Sequence, residues 1–165
     1  MGAVCAAVVA PHVVVAQRIL SLRDSAILAA PFADVLGVNT ATMRLLAPAV
    51  FVDDLKRGID PEAVRGQVVL VRSEVWRTDG TRVLSSTCQS LQFRIGTGTV
   101  ITGVETAARG MQPGGTRLMV LGSEQGYGTR GVDGEVPPDA TLVVRLQLIE
   151  ISDKQFPNPN ECVRS

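Results

Sequence analysis

One tyrosine, Tyr127, stands in a glycine-laced loop, Tyr127-Gly128-Thr129-Arg130-Gly131, which runs on to Val136-Pro137-Pro138-Asp139 and opens into an alternating apolar segment. A phenol hydroxyl can hydrogen-bond the carbonyl of a bound chain, or it can brace its own loop by bonding to the backbone; both readings stand for Tyr127. The loop spans residues 122–139 and carries five glycines. Connections of that length in compact domains are usually functional. A second marked segment lies upstream, Phe93-Arg94-Ile95-Gly96-Thr97-Gly98-Thr99-Val100-Ile101-Thr102-Gly103.

Several other chemistries are not expected. The chain has one histidine, His12, and three cysteines, Cys5, Cys88 and Cys162, with no C-x-x-C spacing. These do not make four convergent ligands, so neither a metal nor a cofactor is expected. The cysteines read as separate thiols, with a Cys88–Cys162 disulfide as the alternative in an oxidising compartment. Sixteen basic and sixteen acidic side chains balance, and no basic run occurs, so nucleic acid is not an expected partner. A chain of 165 residues, 45% apolar and 19% charged, is one domain or one domain with an extension.

Residues 1–50 read as an apolar N-terminal extension, with only Arg18, Arg23, Asp24, Asp34 and Arg44 charged. The apolar run 2–17 is broken by Pro11 and His12 and is shorter than the roughly 20 residues a membrane helix needs. His12 reads as an incidental polar residue. Two readings of the extension stand. It is a targeting segment, with Arg18 and Arg23 ahead of an apolar patch and Ala47-Pro48-Ala49 as a small-x-small site. Or it is an ordered arm whose Leu20, Leu22, Ile27, Leu28 and Leu36 pack on the domain or on another protein.

The elements that position the two marked segments lie in residues 51–153, with 154–165 as a tail. Residues 68–77 alternate, placing Val71, Ser73 and Val75 on one face and Arg72, Glu74 and Trp76 on the other. On that outer face Trp76 is either a lone surface ring or an anchor for a partner. Asp79-Gly80 signals a hairpin into a strand over 81–86, and Leu91, Phe93 and Ile95 alternate again. Val100, Val104, Ala107 or Ala108, and Met111 share one helical face, giving a single helix of about ten residues, stopped by Gly110 and Pro113-Gly114-Gly115. Residues 116–121 and 140–151 are strands; in the latter Leu142, Val144, Leu146 and Leu148 face one way. The fold class is α+β: an antiparallel sheet of five to six strands wrapped around one short helix.

Taken together, Gly66-Gln67, Asp79-Gly80, Ser85-Ser86, Phe93-Arg94-Ile95-Gly96, Val100-Ile101-x-Gly103, Met111, Gly114-Gly115-x-Arg117, Tyr127-Gly128 and Pro137-Pro138 resemble the FKBP-type peptidyl-prolyl cis-trans isomerases, in order and almost without gaps over residues 51–151. The lead-in Gly58-Ile59-Asp60-Pro61-Glu62-Ala63-Val64-Arg65-Gly66 is similar to that of the plant-type members of the chloroplast thylakoid lumen. It implies a chloroplast location, with the cytoplasm as the alternative. The resemblance implies rotation of a peptide bond before proline. That rotation breaks amide resonance over a barrier of about 18–20 kcal/mol. A dry apolar bowl favours the twisted, less charge-separated amide over planar forms solvated by water. The Ile101 N–H and the Tyr127 hydroxyl would anchor substrate carbonyls, and Val100, Ile101 and Val136 would be apolar wall.

The same resemblance marks departures. Val104 stands where the family has a tryptophan floor. Ser73 replaces a wall tyrosine, Val83-Leu84 a Phe-Asp pair, Val144 a phenylalanine, and Leu91 the phenylalanine preceding Phe93 by two. Trading Trp for Val removes about 100 Å² of apolar floor, on the order of 2–3 kcal/mol of prolyl contact. At the transition state that is roughly a factor of tens to a hundred in rate. Weak prolyl isomerisation is therefore expected, and macrolide binding is not. The partner is a proline-containing polypeptide. The alternative is a catalytically inactive scaffold or subunit of a larger, membrane-associated complex, docked through residues 1–50.

Overall fold

The computed structural model describes residues 21–85 and 90–157. The His12 and cysteine readings, Leu20 and the 2–17 run lie outside them. The sheet has seven antiparallel strands: β1 (Arg44–Ala47), β2 (Val50–Lys56), β3 (Val68–Arg77), β4 (Arg82–Ser85), β5 (Leu91–Arg94), β6 (Thr116–Leu121) and β7 (Leu142–Ser152). Their order is β1-β2-β6-β7-β3-β4, and β5 also pairs with β3. The expected antiparallel sheet around one short helix is therefore the fold observed. It exceeds five to six strands, and it starts upstream of residue 51, at Arg44.

Alternation along the strands sorts the side chains into two layers. Val50, Val52, Val69, Val71, Met119, Leu121, Leu142, Val144, Leu146 and Leu148 point inward to the main core. Phe51, Leu118, Val120 and Val143 point the other way, into a second cluster. That outer layer is capped by α1 (Leu22–Leu28) and a 3-10 turn (Asp34–Leu36). Ile27 and Leu36 are buried there, with Leu28, Phe32 and Trp76 packed alongside. Leu22, by contrast, is fully exposed. Trp76 is thus neither a lone surface ring nor a free anchor. It is half-buried under the segment 21–38, with the Arg145 guanidinium 5.2 Å from its ring centroid.

The hairpin between β3 and β4 forms at Asp79-Gly80. Gly80 takes φ 86, and the Asp79 carboxylate accepts the Thr81 amide at 2.9 Å. The inner helix is α2 (Thr102–Ala108), seven residues rather than about ten. Val100 lies ahead of it, because Ile101 is extended (φ −57, ψ 141) and acts as the N-cap. At the other end Arg109 is extended and Gly110 takes φ 74, so the helix stops before Met111. Such a helix does not persist alone.

Charged side chains tie it down at both ends. Buried Arg117 on β6 donates to the Ala107 carbonyl at 2.6 Å and pairs with Asp54 on β2, satisfying a carbonyl that a helix end leaves unpaired. Buried Glu105 accepts the Gly96 amide and, at 2.9 Å, the Gly98 amide. This fixes the chain leading from β5 into α2.

Burial pushes the Asp54 carboxyl up, but the hydrogen bond and charge of Arg117, then those of Arg44, outweigh it. The net result lies below the ordinary 3.8. A folded-state pKa held low contributes stability above the unfolded value of about 4, and that contribution is lost as pH falls through the folded value. Denaturant midpoints taken from about pH 6 down to pH 2 should drop below about pH 4, and Asp54→Asn should flatten that part of the profile. Parallel profiles for the two proteins would contradict the pairing. At neutral pH, Arg117→Met leaves Asp54 and the helix carbonyl without their donor and should cost about 2–3 kcal/mol in denaturant unfolding.

Candidate functional site

The loop carrying Tyr127 leaves β6 at Leu121 and is not structureless. It opens with a 3-10 turn, Ser123–Gln125, and holds a bridge between Val132 and Val136. The Ser123 carbonyl accepts the Gly128 amide at 2.8 Å, the Tyr127 carbonyl accepts the Gly131 amide at 3.1 Å, and the Gly128 carbonyl accepts the Asp139 amide at 3.0 Å. These bonds close the loop on itself on both sides of Tyr127. Gly131 is required twice over. It takes φ 63, and a Cβ there would stand 2.2 Å from the Val136 carbonyl oxygen.

Gly103 brings the helix to this loop. A Cβ at Gly103 would lie 2.7 Å from Leu121 and 3.0 Å from the Gln125 carbonyl oxygen. Only glycine allows so close an approach. It places Ile101, two residues before, beside the turn that ends two residues ahead of Tyr127.

The predicted site residues fall as follows. Val104, Val136 and Val144 are buried in the main core, and Val83, Val100, Ile101 and Tyr127 pack against the same cluster. Ser73 lies half-buried between Val71 and Val75 along β3, paired with Leu146. Leu91 is 38% exposed at the start of β5, opposite Val71, and stands apart from the cluster. The side chain of Leu84 lies outside the described residues. A cleft of about 270 Å³ adjoins the loop between Arg77 and residues 130–138, with Val136 in its wall. Its charged lining, Arg77, Arg130, Asp133 and Glu135, carries no motif and was not anticipated from sequence.

Two polar groups of these residues lack an internal hydrogen-bond partner. The Ile101 carbonyl accepts the Val104 and Glu105 amides, at 3.1 and 3.2 Å. Among the described residues its own amide donates to none, and the Tyr127 hydroxyl bonds to none. The phenol therefore does not brace its own loop. Of the six aromatic side chains, only Phe93 and Tyr127 belong to the main core, whereas Phe32, Phe51 and Trp76 serve the outer layer. Among the described residues, no group of three or more His, Cys, Asp or Glu is placed to hold a metal, and no helix is long and apolar enough to cross a membrane.

A seven-stranded antiparallel sheet closed on one short helix, with a tyrosine loop at the helix start, is the frame of a known class of peptide-directed enzymes. The family profile described as FKBP-type peptidyl-prolyl cis-trans isomerase matches residues 60–149, and the chain belongs to that family. The FK506-binding protein of Neisseria meningitidis serogroup A is 37% identical over 105 residues, covering 62% of this chain and 96% of the relative. The chloroplastic peptidyl-prolyl cis-trans isomerase FKBP16-4 of Arabidopsis thaliana is 33% identical over 121 residues, covering 67% of this chain and 51% of the relative. Among solved structures, a peptidyl-prolyl cis-trans isomerase from Pseudomonas syringae superposes with a TM-score of 0.64 at 25% identity, covering 79% of this chain and 91% of that one.

Burial pushes the Tyr127 phenol above its ordinary value of 10, and the nearby Glu135 carboxylate adds to the shift. The hydroxyl is therefore protonated and able to donate throughout the neutral range. Because Tyr127 is the chain's single tyrosine, phenolate absorbance reads it alone. The absorbance rise should centre above pH 10, and a midpoint below 10 would contradict the half-buried placement.

Proposed function

We propose that this chain is a prolyl cis-trans isomerase of low turnover, acting on proline-containing segments of polypeptides. The observation that carries the reading is the pair of open donors, the Ile101 amide and the Tyr127 hydroxyl, over an apolar cluster formed by Val104, Val136 and Val144. The two donors would hold the carbonyls that flank the scissile-free, rotating bond, and the apolar wall would exclude water from the amide as it twists. No nucleophile, metal or proton transfer is needed, because the barrier is loss of resonance rather than bond cleavage.

Low turnover follows from the floor. Val104 offers less surface to a prolyl ring than the tryptophan of the family pattern, and no other aromatic ring of the chain joins Phe93 and Tyr127 in the main core. The same observation supports a second reading, a scaffold or complex subunit that keeps the fold without turnover. Docking would then fall to residues 1–50, where Leu22 and Val35 are exposed. A chloroplast location is supported by the Arabidopsis relative; relatives described as bacterial and nuclear favour no single compartment.

A protease-coupled assay on a short prolyl peptide tests the proposal. The full chain should accelerate isomerisation measurably above the uncatalysed rate. Tyr127→Phe should cut kcat/KM about fivefold, the worth of one hydrogen bond of roughly 1 kcal/mol. No acceleration at any protein concentration would leave the scaffold reading, and an undiminished Tyr127→Phe would remove the hydroxyl from the site.

A further inference from the structure

Helix α1 reaches the tyrosine loop by a continuous chain of contacts that the isomerase site does not use. Asp24 is only 7% exposed. One carboxylate oxygen accepts the Ala49 amide at 2.8 Å, and the other accepts the Ser21 hydroxyl at 2.7 Å. Ala49 lies in the turn between β1 and β2 with φ 57, a left-handed conformation that alanine adopts only when its surroundings enforce it. The Ala49 carbonyl in turn accepts the Gly122 amide at 2.9 Å.

Gly122 heads the tyrosine loop. Its carbonyl accepts the Gln125 amide at 2.9 Å, and the next carbonyl, of Ser123, accepts the Gly126 amide at 3.0 Å and the Gly128 amide at 2.8 Å. Those two amides flank Tyr127. Ile27 closes on the same point, since a Cβ on Gly122 would stand 2.7 Å from its terminal carbon. Arg23 pairs with Glu124 of the 3-10 turn. A cleft of about 430 Å³ lies between α1 and the loop, bordered by Ala26, Ser123 and Thr129.

We propose that Asp24 is a positioning residue for Tyr127: its carboxylate fixes the Ala49 turn, the turn fixes Gly122, and the 3-10 turn carries that constraint to the phenol. A carboxylate suits the task because its bond to a backbone amide is stronger than that of a neutral acceptor. The segment 21–38 is then a support for the site, not merely a cover for the outer sheet face. The effect on turnover rests on the isomerase reading above; the effect on the phenol does not.

The test uses the full chain and its two unique chromophores. Phenolate absorbance reads Tyr127, and Trp76 emission reads whether the segment stays docked on the outer cluster. Asp24→Ala should move the phenol midpoint down toward 10 and lower kcat/KM several-fold. Asp24→Asn keeps an oxygen acceptor for the Ala49 amide, though a weaker one, and should shift the midpoint by less than Asp24→Ala. Should Asp24→Ala fail to fold, Ser21→Ala carries the test, because it removes the hydroxyl that holds the second carboxylate oxygen and alters no charge; a smaller downward shift is expected. A phenol midpoint unmoved in the folded variant, or moved equally in Asp24→Asn, overturns the proposal. A wild type without turnover whose midpoint still falls in Asp24→Ala upholds the positioning and refutes the isomerase reading instead.

Discussion

A helix of seven residues, about two turns, cannot persist in water by its own hydrogen bonds. Everything at the candidate site depends on what holds it. Apolar burial of Val104, Ala107 and Ala108 supplies the bulk of the attachment. Direction comes from two buried charges. Arg117 meets the carbonyl end of the helix, where the backbone dipole favours a cation. Glu105, near the other end, takes the Gly96 and Gly98 amides and so decides how the chain enters at Val100 and Ile101. The first anchor depends on Asp54, which screens the guanidinium from the side of β2.

From that attachment the site follows. With the helix start fixed, Gly103 lets the tyrosine loop close against it; Ile101 and Tyr127 pack against the same apolar cluster, and the Ile101 amide and Tyr127 hydroxyl have no internal partner among the described residues. Membership of the isomerase family is settled by the match over residues 60–149. Catalytic strength is a separate matter, because it depends on how much apolar surface the floor presents to a prolyl ring. Phe51 and Trp76 are committed to the opposite face of the sheet.

Much of this was legible in the amino-acid pattern. The strand at 116–121 and the Asp79-Gly80 hairpin appear where the alternation and turn chemistry put them, and the inward face of β7 is the set Leu142, Val144, Leu146 and Leu148. The helix came out shorter than its apolar spacing suggested. Periodicity at Val100 and Met111 reflects burial of flanking extended chain, which spacing alone does not separate from helix. The outer layer was the larger omission. Its signal was present in the unbroken apolar runs at 50–52 and 118–121, since a strand buried on both faces loses its alternation. Packing of Ile27, Leu28 and Leu36 on the domain was one of two readings of residues 1–50, but the face they cover carried no signal, because residues 21–38 form one short helix and a 3-10 turn with no sustained period. The contact between Asp24 and Ala49 spans 25 positions and carries no motif.

The most direct test of the account compares catalytic efficiency on one prolyl peptide, under one set of conditions, between this chain and a family member that keeps the tryptophan floor. On the proposed reading, valine in place of that tryptophan would forgo about 2–3 kcal/mol of ring contact, and the expected kcat/KM is lower by roughly tens to a hundredfold. Equal efficiency in the two proteins would contradict it.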